Sequence, residues 1–128
     1  MTDESLILVD AVPDIREALE TLDTNLAYTV SCQWPRTAPT STLITITEIG
    51  NNQVTGKLVV DALSYQIDLW GPDADALRTL APLVNAAVLS VGFLRTYSGP
   101  LELEGSSYYR KTMRFGRSVD KRSMRLVD

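Results

Sequence analysis

From Leu63 to Leu69 apolar and polar residues alternate without interruption, Leu63, Tyr65, Ile67 and Leu69 against Ser64, Gln66 and Asp68. A period of two sorts side chains onto opposite faces only in an extended strand; wound into a helix, the same residues would scatter round the axis. One face of this strand is therefore dry and the other wet. Lys57 to Trp70 is the longest extended candidate in the chain, and a sheet built round it needs an apolar layer on one side only.

Two amphipathic helices can supply that layer. From Val12, the apolar residues Val12, Ile15, Leu19, Leu22 and Leu26 recur three or four apart with Asp14, Glu17, Glu20 and Asp23 between them. This spacing predicts a helix with Pro13 in its first turn. The preceding run Leu6 to Val9 reads equally as an earlier turn of that helix or as a short extended segment. Gly71-Pro72-Asp73 punctuates the start of a second helix, along which Leu77, Leu80, Val84, Ala87, Val88 and Val91 keep helical spacing. Pro82 has no backbone donor and is expected to kink or divide it, and Gly92 to end it.

Other strands are expected at Tyr28 to Cys32, Leu43 to Ile49 and Phe93 to Tyr97. Leu43 to Ile49 should close at Gly50-Asn51-Asn52, residue types that tolerate a turn. In the final strand Tyr109, Met113 and Phe115 alternate with Tyr108, Arg110, Thr112 and Arg114, so Arg110 and Arg114 share a polar face. Residues 33–41 form a loop, because Pro35 and Pro39 deny donors to a ladder, and residues 98–107 are rich in turn formers. The expected fold is α+β: a mainly antiparallel sheet of four or five strands with two principal helices packed on one face.

A chain of 128 residues with 45% hydrophobic and 22% charged side chains suits a single domain, large enough to hold a core without a staple. With no histidine and only Cys32, the commonest zinc sites, imidazole bases and Ser-His or Cys-His pairs are unavailable. Neither a Walker A sequence nor a G-x-G-x-x-G cradle is present. The acidic residues before Leu6 to Val9 do not suit a signal peptide, and no apolar stretch approaches the roughly 20 residues that span a bilayer. The chain is expected to be made in a reducing cytoplasm, to touch no membrane and to need neither metal nor cofactor.

Charge is polarised along the chain: residues 1–105 hold 14 acidic and 5 basic side chains, residues 106–128 hold 2 acidic and 7 basic ones. A basic end on an acidic body suits nucleic acid, an acidic partner or a neighbouring copy; a solvated strand face with a loose terminus is the bland alternative. Glu102 and Glu104, two apart in an extended segment, would lie about 7 Å from each other on one side, a separation known from glycoside hydrolysis and cation sites, although a solvated loop explains them more simply. Asp61 interrupts the apolar face of the long strand, as a buried functional carboxylate or, more simply, a residue at a bulge or sheet edge. Trp34, in the proline-bearing loop, either meets a partner or folds back over its own core. Trp70 is most simply a core or rim residue. Tyr97, Tyr108 and Tyr109 with Arg95, Arg110, Lys111 and Arg114 mix aromatics and cations as single-strand-binding platforms do.

The run Tyr65-Gln66-Ile67-Asp68-Leu69-Trp70, then Val84-Asn85 and Gly92-Phe93-Leu94-Arg95, then Tyr109-Arg110-Lys111-Thr112-Met113-Arg114-Phe115, resembles the tail completion (tail terminator) proteins of long-tailed bacteriophages in order and spacing. The resemblance covers residues 12–116, the combination rather than any one piece carrying it. Leu101-Glu102-Leu103-Glu104 and the basic segment after Phe115 depart from the family's pattern. The resemblance implies a structural, non-enzymatic virion protein made in the host bacterial cytoplasm. Its protomers would form a ring, usually of six, on the head-proximal end of the tail tube. Such a ring stops tube growth and meets the head connector or neck, and DNA passes through it.

On that reading a single domain spans residues 1–128, with 117–128 a basic, flexible segment. Candidate interface residues are Trp34, Arg36, Arg110, Lys111, Arg114, Arg117, Lys121, Arg122 and Arg125, the cations meeting the acidic body of a neighbour or the tube end. A neck or head-tail joining protein on the capsid side is one alternative. A nucleic-acid-binding module using the basic C-terminal segment is another.

Overall fold

The computed structural model describes residues 10–53, 60–120 and 125–127. In chain order the elements are α1 (Val12–Glu20), β1 (Thr29–Ser31), β2 (Leu43–Gln53), β3 (Val60–Gly71), α2 (Ala74–Ser90), β4 (Leu94–Ser98), β5 (Glu102–Leu103), β6 (Tyr109–Asp120) and β7 (Arg125–Val127). Among the described residues seven strands form one sheet whose main path runs β1-β2-β3-β6-β4, with β5 and β7 both paired to β6. Both helices lie on one face, as the alternation of β3 requires. Every pairing is antiparallel except β1 with β2, which is parallel. The sheet is therefore mixed and has more strands than the four or five expected, because β5 and β7 are too short to leave a periodic signature.

The dry side of β3 and β6 joins the helices in one core. Tyr65 pairs with Phe115 and Ile67 with Met113 in the β3–β6 register, and these residues pack with Ile15, Leu19, Leu77, Leu80, Val84 and Val88. Phe93 meets Tyr65 edge to face at 5.6 Å. Tyr65 also reaches the start of α1, its hydroxyl accepting the Ala11 N–H at 3.1 Å. Burial raises its pKa above the ordinary value. At the other end of α1, the hydrogen bond and charge of Glu20 raise the pKa of Arg16.

Three local readings of the sequence are corrected. α1 ends at Glu20, not Leu26, because Tyr28 donates its hydroxyl proton to the Leu19 carbonyl and accepts the Leu22 N–H, satisfying groups the next turn would have used. Leu22 and Leu26 still pack on the core, from a loop. α2 is not divided at Pro82 but is one helix across it; buried Leu80, Ala81 and Val84 around the proline outweigh the missing donor. β2 does not close at Gly50-Asn51-Asn52. It absorbs Ile49 in a bulge between Glu48 and Gly50 and continues to Gln53. Among the described glycines only Gly92, just past α2, takes a positive φ, 97°.

β6 likewise runs on past Phe115 to Asp120, and residues 125–127 fold back along it as β7. The described part of the C-terminal basic segment is therefore strand. Residues 57–59 of the predicted long strand, and the Leu6 to Val9 run, lie outside the described residues.

Candidate interaction face

The parallel pairing of β1 with β2 forbids a tight hairpin, so residues 32–42 must travel back from the end of one strand to the start of the other. That return carries Trp34 across the sheet face opposite the helices. Its indole N–H donates to Thr47 Oγ1 at 3.0 Å, and its ring meets Trp70 edge-on with centroids 5.6 Å apart. Trp70 is held in turn by a 2.9 Å bond from its indole N–H to Thr45 Oγ1. The guanidinium of Arg110 sits 4.4 Å from the centroid of each indole, a delocalised cation against two electron-rich rings.

Beside this stack lies Asp68, fully buried. One of its carboxylate oxygens accepts from Arg110 Nε at 3.0 Å and from the Thr112 hydroxyl at 2.5 Å, the other from the Gln66 amide at 2.9 Å. Gln66 Oε1 then accepts from Arg114 Nε at 3.1 Å, and Arg110 Nη1 reaches Glu104 at 3.3 Å. A buried carboxylate is tolerated only with such a donor set, because an unpaired one costs several kcal/mol. Arg114 remains exposed and lies 5.3 Å from the Tyr97 ring. Trp34 is 48% and Tyr97 46% exposed, so the outer rim of an otherwise locked network is aromatic and cationic. Toward the far end of the face the side chains shrink to Ser64, Gly116 and Ser118, bordered by Leu94, which is 64% exposed.

The structure brings Trp34, Arg110 and Arg114 together on this face, as the alternation of the last strand predicts for the two arginines. Trp34 folds back with one side over Trp70, and half its surface stays open. Trp70 is buried beneath it. Arg36, in the same loop, is exposed. Lys111 and Arg117 do not belong here. They pair with Leu69 and Leu63 and so point to the helix side, where Lys111 donates to the Gly99 carbonyl and Ser98 hydroxyl and Arg117 to the Gly92 carbonyl. Arg125 falls in β7, while Lys121 and Arg122 lie outside the described residues. The expected single basic strip is thus divided between two faces, since alternate residues of a strand cannot share one.

The two glutamates lie in solvent, as the simpler reading of them expects, and the buried carboxylates are aspartates. Glu102 and Glu104 are exposed, and Glu104 serves as an ion partner of Arg110. Asp61 is buried in β3, an interior strand, opposite Val119; the bulge lies on the neighbouring β2. Asp68 was visible in the sequence only as a polar residue on a wet face. Among the described residues no group of His, Cys, Asp or Glu is arranged to hold a metal ion, and no helix is long and apolar enough to cross a membrane. Compared with models of known protein families and with curated proteins, the chain matches none.

Proposed function

We propose that this protein is a structural subunit of a bacteriophage tail, forming a ring, most simply of six copies, that caps the head-proximal end of the tail tube and meets the head connector. The observation that carries this reading is where the resembling segments go. Tyr65 to Trp70 and Tyr109 to Phe115, about forty residues apart in sequence, are partners along one central ladder, with Gln66 opposite Arg114, Asp68 opposite Thr112 and Trp70 opposite Arg110. Phe93 of the third segment packs on Tyr65, and Arg95 donates to Asn85 of the second at 3.1 Å. Segments that carry a common resemblance are expected to share a structural job; here two of them meet on the helix side, and the two strand segments pair to build the open face.

That face suits docking. Its polar groups are bound to one another, leaving the half-exposed Trp34 and Tyr97 and the exposed Arg114 as rigid projections, the residue types that anchor interfaces. Capping works by multiplicity: contacts weak singly become strong when a closed ring engages several tube subunits together, because each later contact is intramolecular. The test is tail assembly with and without the protein, read by electron microscopy, together with the mass of the purified protein alone and on tube subunits. Capped tubes of defined length are expected only when it is present. Normal-length, infectious tails in its absence would overturn the reading, and a protein found by antibody labelling on the capsid side of the neck would replace it with a head-tail joining role.

A further inference from the structure

The two flanks of the helix layer carry opposite charge. α1 runs over the β1–β2 end of the sheet and packs against one side of α2. Its exposed residues include Asp14, Glu17 and Glu20, with Asp10 just before the helix and Asp23 just after it. Arg16 is the one cation among them and is held by Glu20 at 2.8 Å.

On the other flank, α2 and the strands β4 and β6 border an open groove of about 390 Å³. Ala81, Leu101 and Met113 give it an apolar floor, and Arg78, Arg95 and Lys111 line it with three cations; no carboxylate is among its lining residues. Arg95 and Lys111 bond only to the neutral oxygens of Asn85, Ser98 and Gly99. Arg78 reaches Asp75 at 3.2 Å across open surface, a pairing worth little in water. The three cations of this groove fit a surface that presents carboxylates. α1 presents such a surface, its apolar Ile15 and Leu19 being buried in its own core, yet in its own chain it lies over the other end of the sheet, about three strand spacings or roughly 14 Å away.

We infer that a second copy of this chain seats its α1 carboxylates, Glu17 and Asp23 foremost, in the groove lined by Arg78, Arg95 and Lys111. The contact joins two different patches. After one contact the pair therefore still offers one unused ridge and one unused groove, and addition continues until the series closes on itself. The inference rests on the ring reading for its closure, and it moves the charge complementarity between copies from the C-terminal basic segment to the flanks of the helix layer.

The experiment is sedimentation of the purified full chain at low and high salt, with exposed residues reversed in pairs. At low salt the wild-type chain should self-associate, and both R78E/R95E and E17K/D23K should weaken that association roughly ten-fold or more. The chain carrying all four substitutions should recover to within a few-fold of wild type, which a general loss of folding would not allow. A wild-type chain that stays monomeric at low salt, paired reversals without effect, or a four-substitution chain no better than either pair would each overturn the inference. Tail assembly with the same variants separates the two ideas. Normal capping by both paired variants sinks the flank contact and leaves the cap standing, whereas the expected sedimentation pattern from a protein that never limits tube length sinks the cap and leaves the contact.

Discussion

On the helix side of the sheet Tyr65, Ile67, Leu69, Met113 and Phe115 lose their water to α1 and α2, while on the other side Gln66, Asp68 and Trp70 are also buried, with no helix above them among the described residues. The first burial is apolar and non-directional, favourable by roughly 25 cal/mol for each Å² removed from water. The second is directional. It depends on one carboxylate with three donors, on two indoles each bonded to a threonine, and on a guanidinium between the rings. An apolar core tolerates a change of shape by partial collapse, whereas a polar layer loses a whole partner at once. The helix face thus supplies stability, and the open face holds a fixed shape at some cost in desolvation.

Four measurements break or sharpen this contrast, each by chemical denaturation. The largest loss is expected on the helix side: Phe115→Ala should cost about 4 kcal/mol, the ordinary penalty for emptying a buried aromatic site. Arg110→Ala should come next at about 3 kcal/mol, because it leaves Asp68 buried with two neutral donors and no counter-charge. A double variant, Asp68→Leu with Arg110→Met, should recover more than half of that loss. If it does not, the polar layer contributes net stability and not merely specificity. Trp34→Ala should cost about 1–2 kcal/mol, less than Phe115→Ala, since half of the ring is already in water and what is lost is its contacts with Trp70 and Arg110 and its hydrogen bond to Thr47; a loss as large as that of Phe115→Ala would show that residues 32–42 form part of the core.

The smallest effect is a pH dependence. Burial raises the Tyr65 hydroxyl above its ordinary value of 10.0, so in the unfolded chain it ionises first. The stability this residue contributes is therefore complete below that value and is lost as pH rises toward the folded one. Tyr65→Phe should flatten this alkaline decline while costing about 1 kcal/mol near neutrality for the acceptor it withdraws from the Ala11 N–H. An alkaline decline unchanged by Tyr65→Phe would place its origin elsewhere.

Much of the frame was legible without coordinates. The alternation in residues 63–69 determined a one-sided sheet, the spacing from Val12 and from Leu77 determined two helices on its dry side, and the alternation from Tyr109 placed Arg110 with Arg114. These features are local: period two or period 3.6 follows from backbone geometry alone. What tertiary structure decided was everything set by register and return path. That Asp68 meets Arg110 and Thr112 depends on how β3 slides along β6, and a slip of one residue would send the arginine to the other face. That Trp34 lies over Trp70 depends on a parallel pairing that a three-residue strand could not announce. The separation of an acidic flank from a basic one likewise depends on strand order, because Arg78, Arg95 and Lys111 are far apart in the chain and become neighbours only when β4 joins β6.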